Sequence, residues 1–99
     1  MPFSQLIPQV LTPVTVYAQA PTASGVYGIS NAREWIYIGE TDNIRGALLS
    51  LLRDAETTVM KKRPTGFVCE VCDPSTRPSR QERLVLEYAP ACNRHSRYA

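Results

Sequence analysis

The sequence predicts an α+β domain: a small three-stranded, largely antiparallel sheet flanked by helices in the order ββαβα, preceded by an apolar N-terminal extension. Three observations predict it. Two short runs rich in β-branched and aromatic residues, 25–29 and 35–39, flank the polar stretch Ser30-Asn31-Ala32-Arg33-Glu34, which is the pattern of an antiparallel hairpin. Ile44, Ala47, Leu48, Leu51 and Leu52 follow at helical spacing. An alternating run, 67–72, then leads into a second helical set, Leu84, Val85 and Tyr88.

Composition bounds the remaining possibilities. Ninety-nine residues predict one domain spanning 1–99, divided into an uncharged arm (1–24), a core (25–93) and a basic tail (94–99). A hydrophobic content of 43% with 20% charged residues is that of an ordinary globular chain rather than a disordered one. No stretch reaches the length of a membrane span, and the N-terminus lacks the basic start and continuous apolar core of a secretory signal, so a cytoplasmic location without membrane contact is expected. Three cysteines, an odd number, favour free thiols over a disulfide framework. A net charge of +2 does not by itself imply nucleic acid, but its distribution is uneven, because no charged residue precedes Arg33.

In chain order, Pro2, Pro8, Pro13 and Pro21 exclude a long N-terminal helix and leave a single turn over residues 4–11 and a short strand over 14–18. An arm without charge is expected to pack against its own domain or against a partner, self-association included. A hairpin turn centred on Ala32 would set Tyr27 directly opposite Tyr37, on one face of the pair. Thr41-Asp42-Asn43 offers caps for a helix over 43–53. Residues 54–62 form a further turn or short helix, broken by Pro64-Thr65-Gly66. The third strand covers 67–72 and the loop 73–78. The last helix starts near Ser79 and ends before Pro90, with Ser79 and Glu82 spaced as a capping box.

Gly25-Val26-Tyr27 and Tyr37-Ile38-Gly39, the spacing between the two tyrosines, Asn43-Ile44 leading into a helix, and Glu82-Arg83-Leu84 with Pro90 and Asn93 beyond it resemble the core motif of the GIY-YIG nuclease superfamily over residues 20–93. That resemblance implies phosphodiester hydrolysis by Tyr27, Tyr37, an arginine on the first helix after the hairpin, and Glu82 as the metal-holding carboxylate for Mg2+ or Mn2+. The chemistry needs those groups: a hard cation takes carboxylate oxygen, and the transition state's extra charge needs a fixed cation.

The family's arginine position, however, is Ala47 here, and the His or Tyr usual one turn later is Leu51. Arg45 is the displaced candidate, yet two residues turn a helix through about 200° and point it elsewhere. A basic residue is often found just after the second motif, where this chain has Glu40. Ala47 and Leu51 instead extend the apolar stripe of Ile44 and Leu48. The expectation is therefore a GIY-YIG-type domain with a degenerate active site, its hydrolysis lost or much reduced, still contacting DNA or RNA. The alternatives are an active divalent-metal-dependent endonuclease using Arg45, and a protein-interaction module using residues 1–24.

Lys61, Lys62 and Arg63, together with Arg77, Arg80 and Arg83, are the candidate phosphate-facing residues; solvated helix faces are the simpler account of the same charges. Arg80 and Arg83 are expected on the solvated side of the last helix. Cys69-x-x-Cys72 with Cys92-x-x-His95 has the outline of a zinc site. A regular strand would turn Cys69 and Cys72 to opposite faces, which favours free thiols and no zinc.

Overall fold

The computed structural model describes residues 2–4 and 7–93. Its elements are β1 (Gln9–Val10), α1 (Pro13–Gln19), β2 (Gly25–Ser30), β3 (Trp35–Thr41), α2 (Ile44–Arg53), α3 (Thr58–Lys61), β4 (Gly66–Val71) and α4 (Arg77–Tyr88). The sheet is antiparallel throughout, in the order β1-β4-β2-β3. It has four strands where the sequence predicted three.

The added strand and a misassigned helix both lie in the N-terminal arm. Residues 9 and 10 pair with Phe67 and Gly66, where a turn had been expected. Residues 14–18 are helical rather than extended. Val14, Thr15 and Val16 favour a strand on propensity, but Thr12 Oγ1 accepts a hydrogen bond from Thr15 N (3.3 Å) and Pro13 occupies the first helical turn, and this start signal prevails. The arm is also split in its burial: Phe3, Leu11, Val16 and Ala20 are buried, whereas Ile7, Val10, Val14 and Tyr17 are exposed.

The hairpin register differs from the expected one. Tyr27 lies opposite Gly39 and Tyr37 opposite Ile29, with an irregularity between Ile29 and Ser30. Asn31 sets this loop: its side-chain oxygen accepts from Arg33 N (2.8 Å) and Glu34 N (2.9 Å), and its own N–H donates to Glu34 O (3.0 Å). The turn therefore spans residues 31–34 and is centred beyond Ala32. The pairing slips by an even number of residues, so both phenols still share a face.

Two apolar layers cover the two faces of the sheet. On one, Ile29, Ile36 and Phe67 pack with Val16 and Ala20 of the α1 region, Ile44 and Leu48 of α2, and Val59 of α3. On the other, Val26, Ile38 and Val68 pack with Leu84 of α4 and with Phe3, whose ring lies 6.1 Å from Trp35 and 5.6 Å from Tyr88. Helix α4 begins at Arg77, earlier than expected, because Pro78 is well tolerated in a first turn. Ser79 Oγ donates to Thr76 O (3.0 Å) from inside the helix, so the anticipated Ser79–Glu82 capping box does not form.

Glycine is required at the start of β2. A Cβ on Gly25 would run into the Glu70 carbonyl and come within 2.7 Å of Ile44 Cδ1. Backbone and a fully buried side chain cannot both yield. Gly25→Ala is expected to destabilise the chain by roughly 1–3 kcal/mol or more, read as a lower urea midpoint.

Candidate active site

Strands β2 and β3 bring Tyr27 and Tyr37 together with ring centroids 6.1 Å apart and planes tilted by 50°. Gly39 makes room for the pair, since a Cβ there would sit 2.5 Å from Tyr27 Oη and 2.8 Å from Tyr37 Cε2. Both rings pack against the layer formed with α1 and α2. Burial, and secondarily the neighbouring Tyr37, pushes the Tyr27 phenol up to about 12. Tyr37 is raised as well, by burial first and then by the negative charges of Cys92 and Glu40. At neutral pH the pair consists of two uncharged phenols, able to donate and accept hydrogen bonds but not to act as phenolates.

Helix α2 starts at Asn43, whose side-chain oxygen accepts from Gly46 N (3.1 Å). Its inward stripe is apolar: Ile44 and Leu48 are fully buried, Leu51 and Leu52 pack beside them, and Ala47 is half-buried. Arg45 turns to the N-terminal arm. Its Nε donates to Ala20 O (2.9 Å) and its guanidinium carbon lies 5.8 Å from the centre of the Tyr17 ring. The one arginine in the first turn of α2 thus braces α1.

Helix α4 packs Leu84 on the face of the sheet opposite the phenols. Glu82 is exposed and makes no ion pair or side-chain hydrogen bond among the described residues. The carboxylate that acts on Tyr37 is Glu40. Glu40 is itself engaged: Arg77 Nε donates to its Oε1 (2.7 Å), while Arg77 Nη1 reaches Asp42 Oδ1 (2.6 Å), Ser24 Oγ (3.0 Å) and Thr41 O (3.1 Å).

Arg80 corrects the sequence reading. Instead of facing solvent, it donates to both Glu70 carboxylate oxygens (2.7 and 3.0 Å) and to Pro2 O (2.8 Å), with only 18% of its side chain exposed. Glu70 on β4 draws it inward, and hydrogen bonding from Arg80 is the main reason the Glu70 carboxyl is held below the usual carboxylate range. Arg83 is exposed, as are Lys61, Lys62 and Arg63.

The candidate basic residues do not gather at one place. Arg77 is fixed near Ser24 and Thr41, at one end of the β2–β3 pair. Lys62 lies at the other end, where its carbonyl accepts from Asn31 Nδ2 (3.0 Å). Cys69 joins the phenol-side layer with Cys92, while Cys72 joins the opposite one; His95 lies outside the described residues. Among the described residues no three His, Cys, Asp or Glu side chains are placed to hold a metal ion.

Comparison with solved structures identifies the architecture. The chain is similar to the GIY-YIG N-terminal endonuclease domain of UvrC from Thermotoga maritima bound to its catalytic divalent cation, magnesium, with a TM-score of 0.67 and 22% identity, covering 80% of this chain and 92% of that one. A point mutant of the same domain bound to its catalytic divalent cation matches with a TM-score of 0.67 at 21% identity, over 80% and 92% of the two chains. The chain has the GIY-YIG superfamily fold. No family model and no curated protein sequence matches it. No helix among the described residues is long and apolar enough to cross a membrane.

Within this GIY-YIG fold, Asn93 has a role that sequence spacing did not reveal. Its side chain accepts from Ile38 N (2.7 Å) and donates to Ile38 O (2.9 Å), and Gln81 Nε2 donates to the same carbonyl (3.0 Å). Only folding brings residue 93 to residue 38, so no local pattern could have signalled the contact.

Two measurements check this site. The unfolded chain ionises its tyrosines near pH 10 while folded Tyr27 stays neutral to about 12, so the Tyr27 contribution to stability should be constant below pH 10 and fall as pH rises from 10 to 12. Tyr27→Phe should flatten that fall in a plot of Tm against pH. Arg80→Glu would set two carboxylates against each other at a half-buried position and should lower Tm sharply, whereas Arg83→Glu should leave it nearly unchanged.

Proposed function

We propose that this chain is a single GIY-YIG-type domain in which hydrolysis is lost or much reduced and nucleic-acid contact is retained. The observation that carries the proposal is the chemistry of α2: Ala47 continues an apolar stripe, and Arg45 is bonded to Ala20 O and stacked on Tyr17. Neither position on α2 then supplies a fixed cation to meet the charge that develops on a phosphate beside Tyr27 and Tyr37. Loss of such a cation lowers phosphoryl-transfer rates by about 10³ to 10⁵. The neutrality of both phenols adds to this, because neither offers a charged base.

If a residual reaction exists, Glu82 is the residue that would hold Mg2+ or Mn2+, and such a cation would polarise the phosphate and activate water. An active endonuclease would need Arg45 to leave Ala20 and Tyr17. A protein-interaction role is favoured by a separate observation, the exposure of Ile7, Val10, Val14 and Tyr17 on the uncharged arm.

The test is incubation of the purified chain with branched, single-stranded and duplex substrates in Mg2+ or Mn2+. Cleavage is expected to stay at background. Robust Mg2+-dependent cutting that disappears in Tyr37→Phe or Glu82→Ala would refute the proposal. Ala47→Arg probes the converse, raising activity only if the rest of the site is competent, and it is expected to lower stability by burying charge in the stripe.

A further inference from the structure

We infer that the hairpin end of the sheet, remote from the Arg77 end, binds single-stranded nucleic acid, with backbone phosphates held by Arg33, Lys62 and Arg63 and a base resting against Trp35. This deepens, and rests on, the reading that the domain contacts nucleic acid, but it moves that contact away from the phenol pair.

The hairpin loop and the turn after α3 together line an open hollow of about 360 Å³, with Arg33 on one side and Lys62 and Arg63 on the other. The two sides are held together by Asn31, whose Nδ2 donates to Lys62 O while its Oδ1 accepts from Arg33 N and Glu34 N. The cations are therefore placed by bonded backbone rather than by chance collisions of long side chains. They are also largely uncommitted. Arg33 and Arg63 have no ion pair among the described residues, and Lys62 has a single loose contact with Glu34 at 3.5 Å, with both side chains about two-fifths exposed (43% and 41%). Such solvated pairs hold weakly and yield to a better anion. Arg77 and Arg80 differ completely, each bonded to a carboxylate at 2.7 Å.

Two features choose the ligand class. An open hollow lined by Asn31, Arg33, Lys62, Arg63 and Thr65 does not suit an apolar small molecule, and cations spread along it match the repeated charge of a phosphodiester chain. Arg33, Ala32, Asn31 and Glu34 also border a second hollow of about 290 Å³, whose lining includes half-buried Trp35 and Pro8. A cationic track next to an indole is the pairing that holds single strands, through phosphate contact and base stacking.

The chain has one tryptophan, so its emission reports on this site alone. The experiment titrates the full chain with a short single-stranded oligonucleotide and with its duplex, following both Trp35 emission and the anisotropy of a labelled strand, at about 50 and 200 mM salt. The expected result is quenching by the single strand, with affinity falling at a slope of roughly −0.7 per phosphate contact in log–log form. Arg33→Gln combined with Arg63→Asn should weaken binding at least about tenfold and reduce that slope by roughly 1.4. Asparagine is chosen because Arg63 has a φ of 56°, which it tolerates well. Arg33→Lys with Arg63→Lys should preserve most of the binding, and Tyr27→Phe or Tyr37→Phe should leave it intact. Circular dichroism verifies folding of each variant. Anisotropy showing binding without Trp35 quenching, or binding insensitive to the Arg33 and Arg63 changes, overturns this site while leaving nucleic-acid contact standing. Absence of binding at low salt overturns both. Equal quenching by inorganic phosphate overturns the nucleic-acid assignment of the hollow.

Discussion

Strand β2 is hydrogen-bonded along both edges for its whole length, to β3 on one side and β4 on the other, and every functional placement depends on that double pairing. Its alternation sends Val26 into the layer covered by α4 and Ile29 into the layer covered by α1 and α2, both fully buried. Tyr27 goes with Ile29. A shift of one residue would exchange the faces and put both buried residues in the wrong layer, so the register that fixes the core also fixes where the phenols sit. Gly25, with the Glu70 backbone and Ile44 pressed against it, keeps that register from loosening at its start.

Charge in this fold is divided by location. At the end of the sheet near Thr41, Arg77 gathers Glu40, Asp42 and Ser24, and along β4 Arg80 holds Glu70 and the carbonyl of Pro2. These guanidiniums serve the architecture. Glu40, which in the sequence looks like an isolated negative charge beside the second tyrosine motif, is neutralised by its partner. At the hairpin end the cations have no comparable partners among the described residues, so the same residue type holds elements together in one region and faces solvent in another.

The parts of the structure legible in the sequence were those set by local periodicity and local caps. The hairpin strands, α2 with its Asn43 cap and apolar stripe, β4 and most of α4 all follow from residues close to one another along the chain. The parts that were not legible depend on competition or distance. In α1 the cap at Thr12 with Pro13 opposed three β-favouring residues, and the cap won. Strand β1 exists only because β4 offers a partner to two residues. The slip of Tyr27 from Tyr37 to Gly39 follows from how Asn31 closes its loop. Arg80 was placed outside because Glu70, its partner, sits on a different element. The phenol pair was foreseeable; the occupation of Arg45 by Ala20 and Tyr17 was not, since it requires knowing where α1 lies.

The contact between Asn93 and Ile38 has a consequence for how copies of this chain meet. Ala91 N and Cys92 N donate to the carbonyls of Trp35 and Ile36 (3.0 and 2.7 Å), and the Asn93 amide then satisfies both backbone groups of Ile38. The segment after α4 thus occupies the outer side of β3 as a further strand would, without forming one. At the sheet's other margin β1 is two residues long, with Pro8 directly before it and Pro13 at the start of the helix that follows. Strand addition by a second chain requires an extended row of free N–H and C=O groups, and along residues 35–38 of β3 those groups are already engaged. Growth of the sheet from one molecule into the next is therefore opposed along that stretch of β3.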